Sequence, residues 1–486
     1  MAKNLKISKF CFFLLLFIFF FFFFSQVHPL LPFDTDDWMY NGLARPPYPS
    51  FSRWNPSKLL PECLQSLTAL FGAFFIKPIV GDYILALVYA NAFVVSIFIF
   101  GYLYSLFILI NHKYSISIYS GFCIITIFVL LHFLALKTKP MDNEHLWYSR
   151  DVTCFYHYII PNMLCASLIM WLINNDYKKL RSSKSISALA IITFMAVFSN
   201  LYSTILLVAY IGANFLFDIW EFDKKQSKWL LKIIKQNIYP LCIIFCWLVV
   251  QYFEANGNRA TSYGYMFVPF KESLKETIQF FLFETHYNII FLVFSCCTIV
   301  CANLFYYTHR NSKPWYISKL QKILIISMIL SIAYLLLLSS RVFPFYILKA
   351  DVIFSYLFFY LLLFALCFTY LCSQIRAIRI LCPFLVYFFF FIINTEQNTF
   401  KDVQYWNGTD LQTCEKFDRD VIDQLKKAEA SGMDTVIIYV HKFNEGSNWP
   451  QNLEFGQYVG LTLHKHGILR RKITTIYKLK PAAIDR

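Results

Sequence analysis

Hydrophobic residues run along this chain in long blocks, separated by short polar stretches. The first, "FCFFLLLFIFFFFFFS", begins at Phe10, and others of similar length recur to about residue 395. A helix needs about 20 apolar residues to cross the hydrocarbon core of a bilayer. On that measure the pattern predicts spans at 10–27, 83–110, 117–136, 157–174, 186–199, 202–219, 239–253, 288–307, 323–340, 352–372 and 380–395. The block from Ile186 to Trp220 is too long for one crossing, and "FSNLYS" interrupts it near the middle. A single crossing would put Lys224, Lys225, Lys228, Lys232 and Lys235 on the outside. Two crossings, or a short re-entrant hairpin, keep them with the other basic loops, as the cytoplasmic bias of Lys and Arg favours.

With that choice the inside loops are short and basic: "NNDYKKLRSSKS", "EFDKKQSKWLLKIIKQ", "THRNSKPWYISKLQK" and "SQIRAIR". The outside segments are 28–82, 137–156, 254–287, 341–351 and the tail from about 396, and they mix acids with bases. The expected topology has the N-terminus cytoplasmic and the C-terminus outside. The Phe-rich first block reads as an uncleaved anchor, because no small-x-small cleavage pattern follows it.

Composition agrees. Of 486 residues, 58% are apolar, 20% aromatic and only 15% charged, where a soluble domain carries about 25% charged residues. The net charge of +15 is dispersed over short loops, which argues against a nucleic-acid partner. Most of the fourteen cysteines lie inside apolar runs, where Cys acts as a small hydrophobe; Cys63, Cys154 and Cys414 fall in or near outside segments, where a Cys63–Cys414 disulfide is one option. No zinc-type spacing occurs, and His441, His464 and His466 lack partners at metal-ligand spacing, so no metal or other cofactor is called for. A divalent-ion requirement stays open.

The last ninety residues change character. "CEKFDRDVIDQLKKAEASG" has helical spacing and ends on Gly, while "DTVIIYV" and "RRKITTIYKLK" read as strands. The fold class is therefore an all-α polytopic membrane protein of about 9–11 membrane helices (residues 1–395), with a small α/β domain at 396–486 on the outer side. "NGT" at Asn407 matches a glycosylation acceptor pattern.

Ionisable groups held at the bilayer edge usually pair or work. "FDTDDWMYNGLARPPYPS", from Phe33, places Asp34, Asp36, Asp37 and Arg45 directly after the first span. "NEHLWYSRD" in the second outside loop adds Glu144, His145, Arg150 and Asp151; Arg259 lies in the next, and Arg341 and Lys349 flank "VFPFYIL". Carboxylates and converging cations at headgroup depth suit transfer of a sugar from a polyprenyl-phosphate donor. A carboxylate can take the acceptor's proton, and fixed cations stabilise the phosphate as it leaves. Asp36 or Asp37 is the expected base, although either could instead cap a short helix. Arg45, Arg150, Arg341 and Lys349 are the expected donor-phosphate ligands, though Arg341 and Lys349 could equally anchor helix ends. Trp38, Asn41, Glu144, His145, Trp147 and Arg259 are the expected substrate contacts.

An N-in first span followed by "FDTDDWMYNG" and a downstream Arg resembles the GT-C class of polytopic glycosyltransferases, with their acidic motif in the first outside loop. Length, loop order and the outside C-terminal domain are similar to the phage-borne, serotype-converting O-antigen glucosyltransferases of enteric bacteria, most of all their type II branch. The resemblance implies an inner-membrane enzyme taking glucose from undecaprenyl-phosphate-glucose and transferring it, with inversion, to a sugar of the lipid-linked O-antigen repeat. It implies two functional partners, a donor-loading glucosyltransferase and a flippase, and it maps the acidic motif onto Asp36 and Asp37. Three other readings compete: a transporter or flippase for lipid-linked sugars, an O-antigen polymerase or ligase, and a non-enzymatic receptor. The absence of an internal repeat argues against the first. The shortness of 341–351 argues against the second.

Overall fold

The computed structural model describes residues 2–43, 56–137, 145–149, 151–175, 183–221, 229–256, 268–309, 316–396, 404–405, 409–443 and 448–480. Within them ten helices are long and apolar enough to cross a membrane, and two shorter apolar helices, Ile118–Leu134 and Lys184–Val197, accompany them. This is a multi-pass, all-α membrane protein. Ala350–Gln374 lies at its centre with almost every side chain buried, as expected for a helix that is apolar all round. Polar groups pin it on one side: Asn162 donates to the Asp351 carbonyl at 2.7 Å, and Ser355 donates to Asn162 Oδ1 at 3.1 Å and to the Tyr202 carbonyl at 2.6 Å. Other spans turn residues such as Phe10, Phe245, Ile289 and Phe384 outward, each more than half exposed, as a lipid-facing surface requires.

Local chemistry sets the helix ends. Asp82 caps Tyr83–Tyr114 by accepting from the Leu85 N–H. Ser115 closes that helix in the left-handed region, and Ser117 caps the next, Ile118–Leu134, so two crossings are joined by three residues. Residues 186–219 do form a hairpin: Ser183–Val197 and Leu201–Glu221 meet at a turn where Asn200 Oδ1 accepts from the Tyr202 N–H.

Leu59–Val80 is a helix within segment 28–82, where the sequence predicts no span. It is one of the ten apolar helices, yet both its ends are tied to the same end of the bundle. At its start the Lys58 N–H bonds the Ser199 carbonyl at the hairpin tip, and Ser57 bonds Glu254 at the end of Ile238–Ala255. Just past its finish Asp82 and Tyr83 meet Arg419 and His466 of the C-terminal domain. The helix therefore lies along the bundle end. Its polar Gln65, Ser66 and Thr68 face inward, while Leu67, Phe71, Phe74, Phe75 and Ile79 are exposed, the pattern of a helix half-sunk in a bilayer interface. Among the described residues, setting it aside leaves nine of the ten long apolar helices, with the two shorter ones beside them.

The C-terminal domain has two helices, Leu411–Ala430 and Gln457–Lys465, and two strands, Thr435–Val440 and Thr474–Leu479, paired in parallel with Thr435 opposite Thr474. A small antiparallel pair, Gln404–Tyr405 with Thr409–Asp410, precedes them. Val421, Ile422, Leu425, Ile438, Val459, Leu463 and Ile473 form a core that also takes in Leu31, Phe33, Trp38, Tyr83 and Leu87 of the membrane domain. So small a domain gains by such sharing. All fourteen cysteines are free thiols, Cys63 and Cys414 among them, and Cys414 is buried in the shared core.

Candidate functional site

The stretch after the first span forms a two-turn helix, Thr35–Gly42, and its cap sorts the three aspartates. Asp34 is the N-cap and accepts from the Asp36 N–H at 2.8 Å. Asp37, at the third helical position, completes a capping box: its Oδ2 accepts from the N–H groups of Asp34 at 3.3 Å and Phe33 at 3.2 Å. Its Oδ1 accepts from the N–H and the hydroxyl of Thr153, both at 2.7 Å. Four donors thus occupy one fully buried carboxylate. The capping residue is Asp34, and neither Asp36 nor Asp37 takes that place. The sequence signal existed, since an acid three residues after an Asp N-cap is the capping-box spacing.

Burial, followed by the nearby charge of Asp151, pushes the carboxyls of Asp34 and Asp37 above the usual range, while the bonds from Thr153 pull Asp37 back down. The four donors on Asp37 favour its ionised form and work against that rise. Asp34 has a buried Oδ2 with no hydrogen-bond partner among the described residues. Asp36 differs in burial. It is half-buried and sits in the first turn of the helix, where the positive end of the helix dipole favours a carboxylate.

Further acids and one cation continue from there. Asp151, the cap of the Val152–Cys154 turn, lies close enough to act electrostatically on Asp34, Asp37 and Asp351. Asp351 accepts from Ser149 at 3.3 Å. Beside it Lys349 is packed over the rings of Tyr346 and Tyr158, at 4.9 and 5.1 Å, with its Nζ 3.9 Å from Cys154 Sγ. Burial opposes the Lys349 charge, but Cys154 and Asp351 outweigh it and raise its pKa. Segments 28–82, 137–156 and 341–351 therefore meet in one acidic strip with a charged lysine at its end.

Other expected site residues lie elsewhere. Trp38 is buried, with its indole bonded to Asp418 of the C-terminal domain, so it joins domains and offers no face to a sugar. Asn41 is buried too: its side chain accepts from Gln65 at 3.3 Å and its carbonyl faces His466 Nε2 at 3.1 Å. His145 is enclosed by Phe23, Phe133 and Tyr148, where burial and then His28 and His132 drive its pKa well down. Trp147 is fully buried and stacked on His132 at 4.5 Å. These four are structural residues, because amphipathic side chains near a membrane edge can turn inward as readily as outward. Arg341 is exposed over the Phe270 ring at 4.2 Å, apart from the acids. Arg45, Glu144, Arg150, Arg259 and Asn407 lie outside the described residues. Among the described residues no group of three or more His, Cys, Asp or Glu side chains is arranged to hold a metal ion.

The C-terminal domain closes over the Thr35–Gly42 helix. Pro450 O accepts from the Thr35 N–H and hydroxyl, Gln451 donates to the Phe33 carbonyl, Thr462 to the Trp38 carbonyl and Lys465 to the Gly42 carbonyl. Gly42 permits this approach: a Cβ there would lie 2.0 Å from Thr462 Oγ1. The chain matches no family model, no curated protein and no solved structure.

Proposed function

We propose that this protein is a membrane-embedded glycosyltransferase that takes glucose from undecaprenyl-phosphate-glucose and adds it to a sugar of the lipid-linked O-antigen repeat, on the outer face of a bacterial inner membrane. The observation that carries the reading is the division of roles at the start of the Thr35–Gly42 helix. Asp37 is consumed in holding the loop to Thr153, whereas Asp36, in the first turn of the same helix, is only half-buried. In the proposed step Asp36 takes the proton from the acceptor hydroxyl as that oxygen bonds to C1 of glucose. The C1–O bond to phosphate breaks, its electron pair leaves with undecaprenyl phosphate, and the anomeric centre inverts. Lys349 faces the phosphate as charge develops there, the moment at which a fixed cation helps most. The alternation of basic and mixed loops supports the orientation, with the Thr35–Gly42 end outside.

The test is expression with a donor-loading enzyme and a flippase, followed by analysis of the lipopolysaccharide for added glucose. Asp36→Asn at normal membrane abundance is expected to abolish transfer. Full transfer by that variant removes Asp36 from the role, and no glucose with the unaltered protein removes the activity itself.

A further inference from the structure

A cavity of about 290 Å³ lies between the first outside segment and the C-terminal domain, lined by Phe33, Asp410, Thr413, Phe417, His441, Phe443 and Gln451. We propose that it is a saccharide subsite for the acceptor sugar, an assignment that rests on the transferase reading above. Three observations carry it.

The first is an unmet acceptor. Gln451 is 2% exposed, and its Nε2 is fixed on the Phe33 carbonyl at 3.0 Å. Its Oε1 is buried and has no hydrogen-bond partner among the described residues. A buried carbonyl without a donor is costly, and a ligand hydroxyl supplies one.

The second is lining chemistry. Three phenylalanines offer flat apolar surfaces, and Asp410, Thr413, His441 and Gln451 supply hydrogen-bonding groups between them. That pairing suits a pyranose, which has C–H faces and a hydroxyl rim, and a cavity near the lower end of ligand-pocket volumes suits a small one. No Lys or Arg lines it, so it fits the uncharged acceptor sugar and not the donor phosphate, for which Lys349 is the cation.

The third is rigidity and position. Asn448 donates to the carbonyls of His441 and Gln451 and accepts from the Phe443 N–H, fixing the cavity's loop. Phe33 is shared: Asp37 holds its N–H, Gln451 holds its carbonyl, and its ring lies edge-on to Phe417 at 5.9 Å. The cavity is thus one residue from the aspartate cluster.

The experiment uses the full chain in nanodiscs, with saturation-transfer NMR against methyl α-rhamnoside and methyl α-glucoside, and acceptor kinetics in parallel. Phe443→Ala and Gln451→Leu are expected to weaken glycoside binding at least tenfold and to raise KM for the acceptor by a similar factor, with kcat changed less than threefold. Unchanged thermal unfolding shows that either variant is folded, and Phe443→Ala leaves the Gln451–Phe33 bond in place. Binding that both folded variants abolish, without any transfer by the unaltered protein, upholds the subsite and overturns the transferase reading. Transfer with unchanged binding and unchanged KM in both variants overturns the subsite and leaves the transferase reading standing. If neither glycoside binds the unaltered protein, the cavity holds only water and the subsite is overturned.

Discussion

Thr153 gives both its backbone N–H and its hydroxyl to one oxygen of Asp37, each at 2.7 Å. That pairing fastens the first outside segment to the start of the Val152–Asn174 span and separates two adjacent acids into different tasks. Asp37→Asn keeps one carbonyl oxygen but turns an amide NH₂ toward two of the four donors. Each buried group left unsatisfied costs about 1–3 kcal/mol, so a loss of about 2–5 kcal/mol is expected. Unfolding in detergent, followed by loss of intact monomer, measures it. Asp36→Asn is expected to leave that midpoint within a degree or two while lowering transfer by about 10²–10⁴.

Lys349 tests the other end of the acidic strip. Lys349→Met keeps the packing against Tyr158 and Tyr346 but removes the charge, and is expected to lower kcat by about 10²–10³ with little change in acceptor KM. Lys349→Arg is expected to recover part of the rate. Equal loss in both variants would point to packing and not charge.

His466 predicts how docking of the C-terminal domain depends on pH. Burial lowers its pKa from 6.5 to about 4, with Lys465 adding to the effect and the Asn41 carbonyl opposing it. Between those values the unfolded chain binds the proton and the folded chain does not, so stability is fully present above about pH 6.5 and is lost as pH falls toward 4. The ceiling is about 3 kcal/mol. Protection against hydrogen exchange in 457–480, taken relative to the intrinsic rate at each pH, is expected to fall between pH 7 and 5, and His466→Gln to flatten that dependence.

Gly42→Ala tests the closeness of the domains. The added methyl meets Thr462 at 2.0 Å, with the Thr462 Cα only 3.1 Å away, so backbone must move at a cost of about 1–3 kcal/mol. Protease cleavage between the last span and the domain is expected to speed up. Thr462→Ala is not expected to restore docking, because it also removes the hydroxyl that bonds the Trp38 carbonyl.

Orientation has its own measurement. A reporter active only outside the cytoplasm is expected to work when fused after Lys480, and to be silent when fused after His309.

The crossings were legible because long charge-free runs admit few alternatives. The hairpin turn at Asn200 followed from where five lysines would otherwise lie. Leu59–Val80 escaped notice because Glu62, Gln65, Lys77 and two prolines break its apolar run; its polar side faces protein and its apolar side faces outward, the reverse of a soluble helix. Position along the chain singled out the aspartates and Lys349, which the fold brings near one another. It did not separate Asp36 from Asp37, although the Asp34–Asp37 spacing held that information. Trp38, His145 and Trp147 were misplaced for a different reason: whether an amphipathic ring faces solvent or core depends on partners such as Asp418 and His132, far away in sequence. Gln451 carried no local signal at all.

The bonds from Pro450, Gln451 and Thr462 to the segment around Phe33 join residues more than four hundred positions apart. During synthesis the first outside segment must therefore wait, already delivered to its side of the membrane, until nearly the whole chain has followed. A polypeptide interrupted before residue 450 would hold every membrane span and yet lack the groups that finish its first loop. Completion of that loop is thereby made contingent on completion of the chain.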